Sequence, residues 1–292
     1  MAITASMVKD LRAKTGAGMM DCKKALVEAE GDMEKAVDIL REKGLSQAAK
    51  KASRIAAEGA VVSYVTDDAK KGVILEVNCE TDFVGGNEDF QSLAKRIARQ
   101  VVEKAPADVE ALLASDMAGK SVQDTVTEAI AKIGENISVR RFVRYESEEG
   151  RVYSYIHGAG KIGVLIEVVG GDEELGKNLA MQVAAANPSY LNRTEVPDSE
   201  IEHEKEVLAA EARNEGKPEQ IIEKMVIGRI NKYYKEVCLL DQEYIRDTDL
   251  TITKLLKQRN ASIVRFARYQ LGEGIEKKQE DFASEVMGQI NK

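Results

Sequence analysis

Apolar positions recur along the chain with two different periods. In Val61-Val62-Ser63-Tyr64-Val65 and Val152-Tyr153-Ser154-Tyr155-Ile156, tyrosines alternate with apolar neighbours, the pattern of half-buried strands. Leu93, Ile97 and Val101 instead fall at helical spacing. Comparing the chain with itself shows that these patterns repeat. Glu58-Gly59-Ala60-Val61-Val62-Ser63-Tyr64-Val65 returns 91 positions later as Glu149-Gly150-Arg151-Val152-Tyr153-Ser154-Tyr155-Ile156, and Gly72-Val73-Ile74-Leu75-Glu76-Val77 returns as Gly163-Val164-Leu165-Ile166-Glu167-Val168. The helical block Ile97-Ala98-Arg99-Gln100-Val101 matches Leu179-Ala180-Met181-Gln182-Val183 at an offset of 82, and Arg141-Phe142-Val143-Arg144-Tyr145 matches Arg265-Phe266-Ala267-Arg268-Tyr269 at 124.

Each unit thus reads strand, turn, strand, helix, further helical segment, strand. The fold class is α+β: a duplicated core of antiparallel sheets, each with helices packed on one face. The shifts in offset locate an insertion in each copy. Nine extra residues fall in the first unit around Glu80-Thr81-Asp82-Phe83-Val84-Gly85-Gly86-Asn87-Glu88, and 42 extra residues fall in the second between Leu191 and Tyr234. Loops change without disturbing a shared core and often carry function. Phe83 lies between an aspartate and a glycine pair just past a strand end, on a predicted turn. Two placements are open: a lid folded back on the core, or an aromatic anchor for a partner's apolar pocket beside the Asp82 carboxylate. In the longer insertion, Ile201, Leu208 and Ala212 form one apolar stripe, Glu215-Gly216-Lys217-Pro218 breaks it, and Ile222, Met225, Arg229 and Tyr233 resume it. Gly just past one helix and Pro in the first turn of the next predict a helical hairpin over about 192–236.

Ahead of the repeat, Leu11, Met20, Leu26, Val37 and Leu40 are candidate core positions of a small independent bundle of three short helices. Gly16-Ala17-Gly18 and Gly31 punctuate it, Asp32 caps the third helix, and the basic connector Lys50-Lys51-Ala52-Ser53-Arg54 follows. The expected division is 1–54 for this docking domain, 55–146 and 147–275 for the core subdomains, and 276–292 for a carboxy-terminal helical module containing Glu280 to Met287.

Composition narrows the chemistry. Of 292 residues, 42 are Lys or Arg and 50 Asp or Glu, a net charge of −8 with a pI near 5.2. That balance disfavours nucleic acid as a direct partner and leaves an RNA- or protein-binding scaffold as the alternative function. No apolar run reaches the ~20 residues that span a bilayer, and the start lacks a signal-peptide pattern, so a cytoplasmic protein is expected. Cys22, Cys79 and Cys238 are odd in number and widely spaced, which suggests neither disulfides nor zinc. His157 and His203, the two histidines, lie in no zincin or nucleophile-elbow pattern, so no enzyme, cofactor or metal is expected. Gly158-Ala159-Gly160-Lys161-Ile162-Gly163 matches a dinucleotide fingerprint but leads into a β-branched run and reads as a hairpin turn. Gly119-Lys120-Ser121 imitates the end of a phosphate loop, with Ala114 where the earlier glycine belongs, and reads as a helix start capped by Ser121.

Longer motifs carry a family resemblance. Leu11-Arg12-Ala13-Lys14-Thr15-Gly16-Ala17-Gly18-Met19-Met20-Asp21-Cys22-Lys23-Lys24-Ala25-Leu26 and Glu76-Val77-Asn78-Cys79-Glu80-Thr81-Asp82-Phe83-Val84, then Lys132-Ile133-Gly134-Glu135-Asn136, Ser154-Tyr155-Ile156-His157-Gly158 and Gly216-Lys217-Pro218, stand in the order found in bacterial translation elongation factor Ts. The sequence resembles that family over its whole length. The resemblance implies a ubiquitin-associated-like three-helix bundle, a two-part core and a coiled-coil hairpin. It also implies a guanine-nucleotide exchange factor for elongation factor Tu, acting on the Mg²⁺ and GDP held by that partner and allowing GTP to bind. Thr81, Asp82, Phe83 and Val84 would disturb the Mg²⁺ and phosphate site, while Met19, Met20, Ile133, Gly134 and His157 would be further partner contacts. One departure is Gly85-Gly86, where the family has a small residue followed by a basic one, so no basic contact is carried over there.

Overall fold

The computed structural model describes residues 3–15 and 17–276. Three helices open the chain: α1 (Ala5–Thr15), α2 (Met19–Glu28) and α3 (Met33–Lys51). Cys22, Ala25, Leu26 and Ala29 make the buried stripe of α2 and pack on Val8 and Leu11 of α1 and Ala36 of α3. Val37 and Leu40 are partly buried against this cluster. Asp32 caps α3 by accepting the N–H of Glu34 and Lys35 at 2.9 and 3.1 Å. Met20 is not a core residue: it is 61% exposed, because a stripe that runs through positions 22, 25, 26 and 29 leaves position 20 on the opposite side of the helix. The third helix is not short either. It runs for 19 residues through Lys50 and Lys51 of the expected connector, with no Gly or Pro after Gly44 to stop it.

The first core unit follows: β1 (Glu58–Val65), β2 (Lys71–Cys79), α4 (Asp82–Gly85), α5 (Glu88–Lys104), α6 (Val109–Ala114), α7 (Val122–Ile133) and β3 (Ser138–Glu146). The second comprises β4 (Arg151–His157), β5 (Ile162–Gly170), α8 (Glu173–Ala186), α9 (Asp198–Asn214), α10 (Glu219–Val237), β6 (Glu243–Tyr244), β7 (Asp247–Thr251), α11 (Ile252–Gln258) and β8 (Ala261–Gln270). The two main sheets are antiparallel, ordered β1-β2-β3 and β4-β5-β8, and each has a bulge one residue past its central glutamate, at Glu76/Val77 and Glu167/Val168. The small β6–β7 ribbon went unread in the sequence, being two short strands with acidic residues where alternation would be sought. α3 packs along α7, with Gly44 against Ala131, so the opening bundle is docked on the first unit rather than independent of it.

Alternation sorts the strand residues between two interfaces. Val73, Leu75 and Val77 of β2 face α5 and α7, and Val164, Ile166 and Val168 of β5 face α8 and α11. The opposite faces meet each other: Val61, Ile74 and Tyr145 of the first sheet pack against Val152 and Leu165 of the second, with Tyr269 at the margin. The layers are therefore helices, sheet, sheet, helices. Reciprocity is pronounced at this seam. Ser154 Oγ donates to Ser63 Oγ at 3.1 Å, two residues equivalent in the repeat, and the Arg141 guanidinium stacks on Tyr269 while that of Arg265 stacks on Tyr145, 4.2 and 4.3 Å from the ring centres.

The 3₁₀ turn Gly158–Gly160 joins β4 to antiparallel β5, as a hairpin requires, and Ser121 caps α7 by accepting the N–H of Asp124 at 2.9 Å. The hairpin insertion is α9 and α10; Pro218 occupies the N-cap of α10, one place before the first-turn position expected. Its base is held by Glu200, which accepts the hydroxyls of Tyr190, at 2.6 Å, and Tyr233. Gly16 and the carboxy-terminal module expected beyond Glu276, with its Glu280–Met287 helix, lie outside the described residues. No helix among the described residues is long and apolar enough to cross a membrane.

Candidate functional site

β2 ends at Cys79, and the chain then turns through the nine-residue insertion. Thr81 is the N-cap of α4: its Oγ1 accepts the N–H of Val84 at 3.3 Å. The single helical turn that follows is closed by Gly85 N–H to the Thr81 carbonyl, 3.1 Å, and Gly86 N–H to that of Asp82, 3.0 Å. Phe83 stands on this turn 87% exposed, the most exposed of the large apolar side chains among the described residues, while Val84 packs inward against the first unit's core. Phe83 is an outward aromatic and not a core lid. Asp82 beside it is exposed and makes no ion pair among the described residues.

The turn is fixed from both sides. Gly85 is buried against β1, where an added Cβ would lie 2.8 Å from the Gly59 carbonyl oxygen, so the close approach requires glycine. Gln91 Nε2 of α5 donates to the Gly85 carbonyl at 2.6 Å. Gly86 has no such constraint: its φ is −85° and the nearest atom to an added Cβ is 3.6 Å away. On the amino-terminal side, Glu135 Oε2 accepts the N–H groups of Glu80 and Thr81, both at 3.0 Å, and its Oε1 accepts the Thr81 hydroxyl at 2.6 Å. In return, Glu80 Oε1 accepts the N–H of Asn136 at 2.7 Å, and Asn136 Nδ2 donates to the Arg54 carbonyl at 2.9 Å. Burial first, and then the Glu135 charge, push the Cys79 thiol up to about 12. It stays protonated and donates to the Thr81 carbonyl at 3.1 Å, a structural thiol and not a nucleophile.

Ile133 and Gly134 immediately precede Glu135. Ile133 is half-buried against the first core, and Gly134 ends α7 in the left-handed conformation with φ +90°, its N–H bonded to the Ile130 carbonyl at 2.9 Å. His157, exposed at the end of β4, accepts or donates through Nδ1 at 3.2 Å from the Tyr155 hydroxyl. The turn after it is seated on β1, because an added Cβ at Gly160, φ +94°, would meet Ala60 at 2.9 Å, and Lys161 pairs with Glu58 at 3.0 Å. Residues 59–61 of β1 thus meet both the Phe83 turn and the His157 turn, and Glu135 ties Ile133-Gly134 to the same assembly. Met19, 50% exposed, and Met20 lie on the first turn of α2, which packs on α1 and α3; no hydrogen bond or ion pair among the described residues links it to this cluster. Sequence reasoning missed Glu135, Glu80, Asn136 and Arg54 as parts of one knot. The available signal was that two of the family motifs, around Phe83 and around Gly134, each contain an acid beside the residues expected to meet a partner.

No three His, Cys, Asp or Glu side chains among the described residues come together to hold a metal ion. What the arrangement offers is an apolar projection on a braced turn. Residues 80–273 match the family model described as Elongation factor TS. The elongation factor Ts of Clostridium perfringens (strain SM101) is 55% identical, covering 97% of this chain and 98% of that protein. Those of Clostridium acetobutylicum and Halorhodospira halophila are 54% and 51% identical, each over 99% of this chain and 98% and 99% of their own. With likeness of that depth from end to end, the chain belongs to the elongation factor Ts family of translation elongation factors.

Proposed function

We propose that the protein is the guanine-nucleotide exchange factor for elongation factor Tu in the cytoplasm, binding the GDP form and promoting GDP release so that GTP can enter. The observation that carries this reading is Phe83, presented 87% exposed on a turn braced by Glu135, Gly59 and Gln91. A loose loop would lose much of its binding energy to ordering; a braced one does not.

The mechanism is linkage rather than bond-making. A factor that binds the nucleotide-free GTPase more tightly than the GDP form weakens GDP binding by the same factor. Burying one phenyl side chain is worth roughly 1.5–3 kcal/mol, which corresponds to about ten- to a hundredfold in an equilibrium. Phe83 alone thus accounts for one part of the exchange, and the remaining stabilisation of the open partner falls to the other contacts, Ile133, Gly134, His157, Met19 and Met20. In this reading Asp82, with Thr81 and Val84 framing it, competes for the donors that hold the partner's Mg²⁺ and phosphates, whose mutual charge neutralisation is a large term in nucleotide affinity. The chain itself needs no cofactor, since Mg²⁺ and GDP belong to the partner, and RNA is not part of the reaction.

The test is direct. Elongation factor Tu loaded with fluorescent GDP is mixed with increasing amounts of the protein and excess unlabelled nucleotide, and fluorescence loss is followed. Acceleration that saturates with protein concentration is the expected result; release at the spontaneous rate would overturn the reading.

A further inference from the structure

We propose that Glu135 is the positioning residue of the exchange site, holding the Phe83 turn in register without touching the partner's nucleotide. The inference rests on the exchange reading above. It follows from a mismatch between what α4 needs and what α4 supplies. A four-residue turn cannot hold itself in water, because the nucleus of a helix costs more than one turn returns. Two of its braces, Gly85 on Gly59 and Gln91 on the Gly85 carbonyl, grip its end. At its beginning the Cys79 thiol reaches the Thr81 carbonyl, and Glu135 takes the donors.

There the single carboxylate takes all three donors that the Glu80-Thr81 segment presents, two backbone N–H groups and the Thr81 hydroxyl. Bonds to an ionised acceptor are about twice as strong as neutral ones. The hydroxyl works in both directions, since it accepts the N–H of Val84 while donating to Glu135, so Glu135 fixes the rotamer that makes Thr81 a cap. Removing the carboxylate frees the cap and the turn together. Glu135 is half-buried, and among the described residues its side chain bonds to Glu80 and Thr81 and to no residue of either sheet. A loss of placement is therefore separable from a loss of fold.

The experiment compares Glu135→Ala, Glu135→Gln and Phe83→Ala, singly and as the Ala/Ala pair, in the full chain. Wild-type release is measured first. For Glu135→Ala the maximal rate of GDP release at saturating factor is expected to fall roughly tenfold or more, as misplacement by an ångström does at other reacting sites. The half-saturating concentration is expected to shift less than about twofold, because docking is spread over other contacts. Glu135→Gln, which keeps one acceptor oxygen for the backbone donors, recovers part of the rate. In the Phe83→Ala background Glu135→Ala costs clearly less than in the wild type, since both act through one turn and only the placement of Asp82 is left to lose.

Amide hydrogen exchange supplies the readout independent of the partner: the Val84 and Gly85 amides exchange faster in Glu135→Ala while those of β2 do not. An unchanged maximal rate, a rate loss that adds in full to that of Phe83→Ala, or amide exchange that quickens equally across β2 would each overturn the proposal. If the wild type itself released no GDP, the exchange reading would fail, and the amide pattern would still decide whether Glu135 places the turn.

Discussion

The two core units can be compared position by position. Between the second strand and the first long helix, the first unit has residues 80–87, with α4 and Phe83 among them; the second passes from β5 to α8 through residues 171–172, where Asp172 caps α8 directly. The central glutamates differ as well. Glu76 is fully buried and takes Arg140 at 2.9 Å, Arg141 at 2.6 Å and the Gly272 N–H at 2.9 Å, whereas Glu167 takes Arg265 at 2.7 Å. Gly272 comes from the segment after β8, so the end of the second unit seals the glutamate of the first. Equivalent positions in a duplicated scaffold carry unequal loads: the unit with the exposed aromatic turn is also the one whose central glutamate takes more partners.

Substitutions can break or sharpen that contrast. The largest effect is expected for Glu76→Ala, which takes the acceptor from Arg140 Nη1, Arg141 Nε and the buried Gly272 N–H, leaving Arg140 on the Glu273 carbonyl and Arg141 on Gln270, Glu273 and the Tyr269 ring, and costs about 3–5 kcal/mol. Glu167→Ala leaves only Arg265, still stacked on Tyr145 and bonded to the Glu146 carbonyl, and costs about 1.5–3 kcal/mol. Denaturant titration of both variants checks the difference, and equal costs would erase it. Acid titration separates the two further. Burial alone would raise the Glu76 carboxyl, but the Gly272 N–H and the Arg141 and Arg140 guanidiniums outweigh it and hold it below its ordinary 4.5. Its contribution is thus complete above 4.5 and is lost as pH falls through the lower folded value; Glu76→Gln flattens that acid limb of stability.

Smaller effects belong to the inserted turn. Gly85→Ala forces a Cβ against the Gly59 backbone and costs about 1–3 kcal/mol, with slower nucleotide release. Phe83→Ala slows release about tenfold, near the 1.4 kcal/mol that this factor represents, while the thermal midpoint stays at the wild-type value because the side chain is already in solvent. Least of all, Gly86→Lys shifts stability by under about 0.5 kcal/mol, as expected for an open surface position. A thermal scan and the release assay on the three variants rank them.

Local rules made much of this fold readable. Alternation found the strands of both main sheets, and offset shifts located the Phe83 turn and the α9–α10 hairpin. Asp32 and Ser121 declared themselves as caps because a cap acts within three residues. The misses have two causes, a local phase that was not followed and partners distant in sequence. Met20 looked like core because it is apolar; only the phase of the stripe through Cys22, Ala25 and Leu26 excludes it. α3 runs past its expected end because α7 gives its second half something to pack on. Glu135 reaches Thr81 across 54 positions, a pairing that no periodicity encodes. The exposure of Phe83 was half legible, since the insertion pointed to a turn without saying which way the ring faced.

The crosswise stacks of Arg141 on Tyr269 and Arg265 on Tyr145, with Ser63 meeting its own counterpart Ser154, have the symmetry of an isologous contact, in which each half offers the other the same patch. A polypeptide of half this length would expose that face and could cover it only by pairing with a second copy. Joining the halves in one chain makes the pairing independent of concentration. It also releases the descendants from identity, since a residue added to one half no longer appears in the other. The lopsided architecture, an exposed aromatic turn in one half and a long helical arm in the other, is a freedom that a dimer of identical subunits does not have.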